Sequence, residues 1–224
     1  MTGRLVVLAS GSGSNLQALL DASARGELPA EVVAVVSDRA DAVALERARR
    51  AGVAAEHVPL ADRRDPAARA AFDARLADAV AAHAPDLVVL AGWMLLLGPG
   101  FLGRFPGRVL NVHPALLPDD DGPMVGSSAG PVPALRGAHA VRDALRAGLP
   151  VTGATVHVVT PVCDVGPVLA REEVAVLPGD DEATLHARIK AVEHRLLPAA
   201  VRNVLEELAE RPGSSRAAAG GGVG

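Results

Sequence analysis

Aromatic residues are scarce in this sequence of 224 residues, which contains one Trp, three Phe and no Tyr. Single-stranded nucleic acids are held largely by stacking on aromatic side chains, so this scarcity argues against such a surface. The formal net charge of −4 at pH 7 points the same way, because nucleic-acid phosphates are bound by clustered Lys and Arg. A small anionic ligand in a local pocket stays compatible with both observations.

Cysteine is also nearly absent, and no apolar run reaches membrane-spanning length. The single Cys163 excludes an internal disulfide or a cysteine-rich zinc site, and it fits a reducing compartment. The N-terminus passes directly into the apolar run Leu5–Leu8 without the cleavage pattern of a signal peptide. The histidines show no metal-ligand spacing, so no metal site is predicted. We therefore expect a cytoplasmic protein without membrane contact.

Short apolar runs alternate with helical patterns along the chain. This alternation predicts an α/β fold, an open and mostly parallel twisted sheet with helices on both faces. The predicted buried strands are Leu5–Leu8, Val32–Val36, Leu87–Ala91, Val109–Val112 and Thr155–Val159. The predicted helices are Leu16–Ala24, Ala42–Ala51, Pro66–His83 and a long helix from near Asp181 to about Glu210.

The length of the chain is most simply that of one domain, which we place at residues 1–210. Two stretches have little apolar surface to bury. Residues 119–133 are rich in Gly, Pro and Ser and predict a long flexible loop. Residues 211–224 predict a disordered tail.

Asn111 and His113 end the apolar run that begins at Val109, and Pro114 follows them. Residues two apart in a strand point to the same face, so the amide and the imidazole should converge on one small volume. A hydrogen-bond donor beside an imidazole suits a carbonyl whose oxygen gains negative charge. A second interpretation stays open, in which this polar pair only holds a loop against the end of the strand.

A Gly-rich loop, Ser10–Asn15, joins the first predicted strand to the first predicted helix. Glycines permit a tight turn there, and the N–H groups at a helix start attract phosphate. The third glycine of a dinucleotide fingerprint is missing, as is the lysine of a P-loop, so the loop is typical of a site for a single phosphate. The alternative is an ordinary turn in which Ser14 or Asn15 caps the helix.

Asp164 lies beyond the last predicted strand of the sheet. A carboxylate brought near His113 would favour the imidazolium and accept a proton. The sequence Asp-x-Gly-Pro is also good turn chemistry, and that alternative stays open. The neighbouring Cys163 is predicted to be a small buried filler, because no basic neighbour in the sequence lowers its pKa.

Three charged residues on predicted helices have ordinary interpretations when taken alone. Lys190 and Glu193 are three residues apart on the late helix, which predicts a solvated surface pair. Arg69 is predicted to be a solvated helix charge, with contact to an anion as the alternative.

Four segments together resemble the phosphoribosylglycinamide formyltransferase family. They are 9–17 (ASGSGSNLQ), 90–94 (LAGWM), 111–118 (NVHPALLP) and 164–167 (DVGP). The resemblance is collinear and covers residues 4–205 apart from the segment 119–133. An Asn-x-His pair with a distant Asp is similar to formyltetrahydrofolate-dependent formyltransferases in general, whereas the Ser-Gly-x-Gly-Ser-Asn loop marks the glycinamide ribonucleotide branch.

The resemblance implies direct transfer of a formyl group from 10-formyltetrahydrofolate to the amine of glycinamide ribonucleotide, in de novo purine biosynthesis. It implies that Asn111 and His113 stabilise the oxyanion, while Asp164 keeps His113 protonated and helps to move the amine proton. The residues implied to bind the ribonucleotide are Gly13, Ser14, Asn15, Lys190 and Glu193. Those implied to bind the folate are Arg69, Met94, Leu95, Leu96, Leu97, Asn111, Val162, Cys163 and Asp164.

The same resemblance implies a ribonucleotide phosphate-binding half at 1–105 and a catalytic and folate-binding half at 106–210, in a monomer or homodimer with small-molecule substrates. Two departures stand out. Leu95 replaces an Arg that relatives often carry, which leaves backbone contacts to the folate there. The segment 119–133 is longer than the usual connection, and His139 realigns beyond it.

Two kinds of alternative function stay open at this point. Methionyl-tRNA formyltransferase and formyltetrahydrofolate hydrolase share the Asn-x-His pair and the distant Asp, although each usually carries a further domain. A non-catalytic nucleotide-binding module would use the Gly-rich loop alone, and it predicts that His113→Ala leaves function intact.

Overall fold

Strands and helices alternate along the chain in the computed structural model, which describes residues 2–210. The strands are β1 (Gly3–Leu8), β2 (Ala30–Ser37), β3 (Ala54–His57), β4 (Leu87–Leu90), β5 (Val109–His113), β6 (Met124–Val125), β7 (Val132–Pro133), β8 (Val151–Val158) and β9 (Val168–Ala175). The helices are α1 (Ser14–Ala24), α2 (Val43–Arg50), α3 (Pro66–Ala82), α4 (Pro99–Leu102), α5 (Ala140–Arg146) and α6 (Glu182–Glu210). Every strand and helix predicted from the sequence is present.

Seven of the strands within residues 2–210 form one sheet in the order β3-β2-β1-β4-β5-β8-β9. The pairs from β3 to β5 are parallel, whereas β8 and β9 are antiparallel to their neighbours. The predicted α/β class with a mostly parallel sheet is therefore confirmed. The chain order reverses between β1 and β4, and ligands of such sheets bind at the carboxyl ends of the strands at this switch point.

Helices cover both faces of the sheet, as the side chains of β1 show. Leu5 and Val7 pack in a core cluster with Leu16 of α1, and this cluster also takes in residues of α2 and α6. Val6 and Leu8 face the other way, into a cluster around Phe72 of α3. Continuous apolar runs mark parallel strands because both faces are buried.

The segment 119–133 is partly built into the fold. It contains β6 and β7, which pair antiparallel as a separate two-stranded sheet. Val125 and Val132 are buried in a cluster with Leu116 and Val151. The expectation that this segment has little to bury is wrong at these two positions, because two valines suffice to close a small apolar contact. Its flexibility stays a prediction.

The sequence did not predict β3, α4, α5, β9 or the β6–β7 pair. The predicted tail at 211–224 lies outside the described residues. Among residues 2–210, no helix is both long enough and apolar enough to cross a membrane.

Candidate active site

A cavity of about 660 Å³ lies at the carboxyl ends of β1, β4 and β5. Its walls are the loop 10–15, the segment 92–97 after β4, the end of β5, the loop 159–164 after β8 and one face of α6. The predicted site residues that line it are Gly13, Ser14, Asn15, Met94, Leu95, Leu96, Leu97, Asn111, His113, Cys163, Asp164, Lys190 and Glu193. The fold thus brings together nearly all of the predicted residues, with Arg69 and Val162 outside the lining.

Asn111 lies in β5 directly opposite His157 of β8. Its Nδ2 is 3.1 Å from Nε2 of His157, and Nδ1 of His157 is 3.1 Å from the carbonyl oxygen of Val158. One tautomer satisfies both contacts, in which Nδ1–H donates to the carbonyl and Nε2 accepts from the amide. The amide of Asn111 is thereby oriented, and its second N–H is available to a ligand in the cavity.

His157 is a site residue that sequence reasoning missed. It is 2% exposed and lines the cavity. The signal that could have found it is the antiparallel register of β8 on β5, which sets His157 opposite Asn111 and Thr155 opposite His113. That register joins segments 46 residues apart and cannot be read from a local pattern.

Asp164 lies between two imidazoles. Its Oδ2 is 3.5 Å from Nδ1 of His113, and its Oδ1 is 3.6 Å from Nε2 of His157. The backbone N–H of Gly137 also donates to Oδ2, at 2.6 Å. Asp164 has φ of +50°, a conformation that is costly for a residue with a Cβ. The structure thus combines a turn at Asp164 with a carboxylate beside His113, and the acid–base role of that carboxylate stays a prediction.

The carboxyl group of Asp164 stays ionised in this environment. Burial acts to raise its pKa, but the contacts with the imidazoles of His157 and His113 and the hydrogen bond from the backbone N–H of Gly137 together outweigh burial. The pKa of Asp164 therefore lies well below its ordinary value. A fixed negative charge consequently lies beside the imidazole of His113.

His113 is 4% exposed, and its protonation is decided by opposing effects. Burial lowers the pKa of His113, and burial outweighs the charge of Asp164 and the carbonyl of Leu135, which raise it. Nε2 is 2.6 Å from the Leu135 oxygen and donates to it, so the neutral ring presents an unprotonated Nδ1 to Asp164. Burial therefore acts against the expectation that Asp164 keeps His113 protonated, and that expectation stays a prediction. A neutral ring with an anion beside Nδ1 is prepared to accept a proton.

We expect the His113 ring of the ligand-free protein to titrate below pH 6.5, because burial disfavours the imidazolium. Asp164→Asn should lower this pKa further, since it removes the negative charge that raises it. Imidazole ¹⁵N chemical shifts followed against pH measure both values. A His113 that titrates above 6.5, or that is unchanged in Asp164→Asn, would contradict this electrostatic description.

The loop 10–15 carries the chain from β1 into α1. Helix α1 begins at Ser14 after Gly13, which has φ of +68°, and no side chain caps this helix start. The first-turn N–H groups therefore lie at the cavity without a capping side chain, an arrangement that binds phosphate. The alternative in which Ser14 or Asn15 caps the helix is wrong.

Asn15 instead reaches across to α6. Its Nδ2 donates to Oε2 of Glu193 at 2.8 Å, and the two residues are 7% and 3% exposed. Burial raises the pKa of Glu193, against the hydrogen bond from Asn15 and the charge of Lys190. The interpretation of Lys190 and Glu193 as a solvated surface pair is therefore wrong for Glu193. Lys190, the only lysine in the sequence, lines the same cavity.

The segment 94–97 forms the opposite wall. Met94 and Leu96 are 57% and 64% exposed, whereas the side chains of Leu95 and Leu97 are buried in the core. Leu95 therefore offers only its backbone to a ligand, as its departure from the family pattern implies. The backbone N–H of Met94 donates to Oγ of Ser10 at 3.1 Å, which connects this wall to the loop 10–15.

Arg69 contacts this wall from outside the cavity lining. Its Nη2 donates to the carbonyl oxygen of Leu96 at 2.5 Å, and its guanidinium lies 6.0 Å from the ring centre of Phe72. The structure thus assigns Arg69 a contact with the segment 94–97, whereas direct contact with a ligand stays a prediction. Val162 is 61% exposed at the loop 159–164.

Asp73, one helical turn beyond Arg69, supports the same segment and was not predicted. It is 9% exposed, and burial raises the pKa of its carboxyl group, against the charge of Arg69 and the nearby backbone of Gly98. A Cβ added at Gly98 would lie 2.0 Å from Oδ2 of Asp73. Gly98 therefore permits this close approach, and a Cβ at that position would require the carboxylate of Asp73 to shift.

We expect Gly98→Ala to displace the segment 94–97 and to raise KM for the ligand bound against it several-fold. The free energy of unfolding should fall by about 1–3 kcal/mol, as for other overpacked positions. Gly100→Ala is the matched control, because a Cβ there meets nothing within 4 Å. Steady-state kinetics and thermal unfolding of both variants measure these effects. Equal kinetics in the two variants would show that Gly98 does not set the position of the wall.

Cys163 differs from its prediction, because it is exposed rather than buried. The residue as a whole is exposed, but partial burial of its sulfur and the neighbouring charge of Asp164 raise the pKa of the thiol to about 11, and its Sγ lies 3.3 Å from Oδ2 of Asp164. A thiol with this pKa carries almost no thiolate at neutral pH, so it is a poor nucleophile. Within residues 2–210, no group of three His, Cys, Asp or Glu side chains is arranged to hold a metal ion.

Comparison with known proteins places this geometry in a family. Residues 3–201 match the model of the formyl transferase family. The chain is 54% identical to the phosphoribosylglycinamide formyltransferase of Mycobacterium tuberculosis over 198 residues, which cover 88% of this chain and 83% of that protein. The chain belongs to the phosphoribosylglycinamide formyltransferase family.

Two further relatives agree. The phosphoribosylglycinamide formyltransferase of Escherichia coli is 42% identical over 194 residues, with 87% of this chain and 83% of that protein covered. The crystal structure of glycinamide ribonucleotide transformylase 1 from Symbiobacterium toebii superposes with a TM-score of 0.81 at 46% identity, covering 92% of this chain and 89% of that chain. The family resemblance read from the sequence is therefore confirmed.

Proposed function

We propose that the protein transfers the formyl group of 10-formyltetrahydrofolate to the amine of glycinamide ribonucleotide in de novo purine biosynthesis. One observation carries this proposal: the uncapped start of α1 and the group Asn111, His113 and Asp164 line a single cavity. A phosphate-bearing amine held at the helix start can thereby reach the polar group at the end of β5.

The ribonucleotide would be bound from the phosphate end. The first-turn N–H groups at Gly13, Ser14 and Asn15 would hold its phosphate, with Lys190 supplying the positive charge on the same cavity wall. The buried Glu193, fixed by Asn15, would accept hydrogen bonds from the ribose hydroxyl groups.

The formyl donor would lie against the other wall. The exposed side chains of Met94 and Leu96 offer apolar contact, and the backbone of the segment 94–97 offers hydrogen bonds to a planar heterocycle. The loop that ends at Cys163 and Asp164 would close the same pocket. In this arrangement the formyl group would lie between the segment 94–97 and Asn111.

The side chains of Asn111, His113 and Asp164 would then carry out the chemistry. The amine nitrogen attacks the formyl carbon, a C–N bond forms, and the formyl oxygen gains a negative charge that the amide N–H of Asn111 stabilises. Nδ1 of His113 accepts the amine proton, and the resulting imidazolium is paired with Asp164. The C–N bond to the folate then breaks, and the folate nitrogen leaves with that proton. No covalent intermediate on the protein is required.

An absorbance assay of folate release tests the proposal, with glycinamide ribonucleotide present or withheld. We expect turnover only when the ribonucleotide is present. Turnover without it would indicate a formyltetrahydrofolate hydrolase, and turnover only with charged initiator tRNA would indicate a methionyl-tRNA formyltransferase. Absence of any turnover would remove the enzymatic proposal and leave a nucleotide-binding module.

A further inference from the structure

Arg136 makes two contacts that the proposed chemistry does not use. Its Nε donates to the backbone carbonyl oxygen of Asp164 at 3.2 Å, and its Nη2 donates to the carbonyl oxygen of Gly122 at 2.9 Å. The guanidinium therefore bridges the loop that carries Asp164 and the segment 119–133. Arg136 itself does not line the cavity.

The residues on either side of Arg136 contact the same polar group. The carbonyl of Leu135 accepts from Nε2 of His113 at 2.6 Å, and the N–H of Gly137 donates to Oδ2 of Asp164 at 2.6 Å. Leu135 thus fixes the ring of His113, Gly137 fixes the carboxylate of Asp164, and Arg136 fixes the backbone of Asp164.

The segment 119–133 has its own attachments to the sheet. The backbone N–H of Ser128 donates to Glu173 of β9 at 2.8 Å, and Arg171 of β9 donates to Asp119 at 3.0 Å. Buried Val125 and Val132 add an apolar contact. Because the segment is attached at these points, the carbonyl of Gly122 offers Arg136 an anchored partner.

Asp164 needs such support. Its φ of +50° is a strained conformation for a residue with a Cβ, and strained residues persist only where neighbours hold them. The bond from Arg136 to the Asp164 carbonyl acts on this backbone directly. Loss of that bond would allow the loop to relax and the carboxylate to leave the space between His113 and His157.

We propose that Arg136 is a positioning residue for formyl transfer, which couples the segment 119–133 to the backbone of Asp164 and so holds the carboxylate beside His113. This inference rests on the proposed function for its kinetic readout. It assigns the unusually long segment after the catalytic strand a role in the geometry of the active site.

Arg136→Ala and Arg136→Lys test the proposal together. Lys keeps the positive charge but cannot donate in the fork geometry that spans two carbonyl oxygens. We expect both variants to lower kcat on the order of tenfold or more, as displaced catalytic groups do, with KM for the ribonucleotide within about twofold of wild type. Arg146→Ala, an exposed arginine on α5, is the control and should match wild type.

The titration of His113 separates positioning from a purely structural role. The titratable and charged groups that face this ring are Asp164, His157 and Arg136. Arg136→Lys retains a positive charge on the same residue, and movement of Asp164 away from the ring removes a charge that raises the pKa of His113, so we expect that pKa to fall. The ¹⁵N shifts of the imidazole report it without turnover.

Wild-type kcat in Arg136→Lys, with an unchanged His113 titration, would overturn the proposal and leave only a role for charge. A lower melting temperature and higher KM values for both substrates, with kcat unchanged, would show a merely structural role. If Arg136→Ala does not fold, Arg136→Lys decides between these outcomes. Wild-type turnover in the same assay keeps a failure of this inference distinct from a failure of the proposed function.

Discussion

Replacing Asp164 by Asn is expected to reduce kcat by about two to four orders of magnitude while KM for each substrate changes only a few-fold. Asparagine keeps the shape of the side chain and still offers an oxygen to the N–H of Gly137. It cannot supply the negative charge that stabilises the His113 imidazolium formed when the amine loses its proton. The loss should therefore fall on the chemical step.

The matched control for Asp164→Asn is Asp78→Asn, which removes an exposed carboxylate paired with Arg104. Steady-state kinetics of both variants, with circular dichroism to confirm folding, make the comparison. A kcat near the wild-type value in Asp164→Asn would remove the carboxylate from the mechanism. A large rise in KM with unchanged kcat would assign it to folate binding alone.

Replacing Gly13 by Ala is expected to raise KM for the ribonucleotide on the order of a hundredfold, because the loop 10–15 cannot keep its conformation. The φ of +68° disfavours any Cβ, and the added atom would lie 2.8 Å from the Cα of Ala44 and 2.9 Å from its Cβ. Both atoms belong to α2, so relief requires backbone movement of the loop against that helix. The N–H groups at the start of α1 would move with it.

Gly52→Ala separates backbone strain from this collision. Gly52 has φ of +71°, but a Cβ there meets nothing within 4 Å. We expect Gly52→Ala to lower the free energy of unfolding by about 1 kcal/mol with normal kinetics, whereas Gly13→Ala loses more stability and ribonucleotide affinity together. Isothermal titration with the ribonucleotide measures the affinity directly. Unchanged affinity in Gly13→Ala would exclude the loop as the phosphate site.

Local sequence patterns predicted much of the fold. Buried parallel strands are continuous apolar runs, so Leu5–Leu8 and Leu87–Ala91 were visible without any contact information. Strand β9 was missed because its exposure alternates and it carries Arg171, Glu172 and Glu173, as an exposed edge strand does. The β6–β7 pair was missed because only two valines of the segment 119–133 are buried.

The candidate site was predictable where its chemistry lies close together in the chain. Asn111 and His113 follow from the two-residue period of a strand, and the start of α1 follows from its glycines. Asp164 was identified as a partner of His113 through the family resemblance, and His157 was missed, because both depend on the pairing of β8 with β5. The burial of Glu193 likewise depends on the packing of α6 against α1, which no helical periodicity reveals.

Direct formyl transfer in the cavity beside Asn111, His113 and Asp164 can be followed in a single turnover with ¹³C in the formyl group of 10-formyltetrahydrofolate, by ¹³C NMR. We expect the label to pass to the amide of the ribonucleotide product with no free formate and no signal on the protein. Labelled formate, or a formyl group attached to the protein, would contradict it.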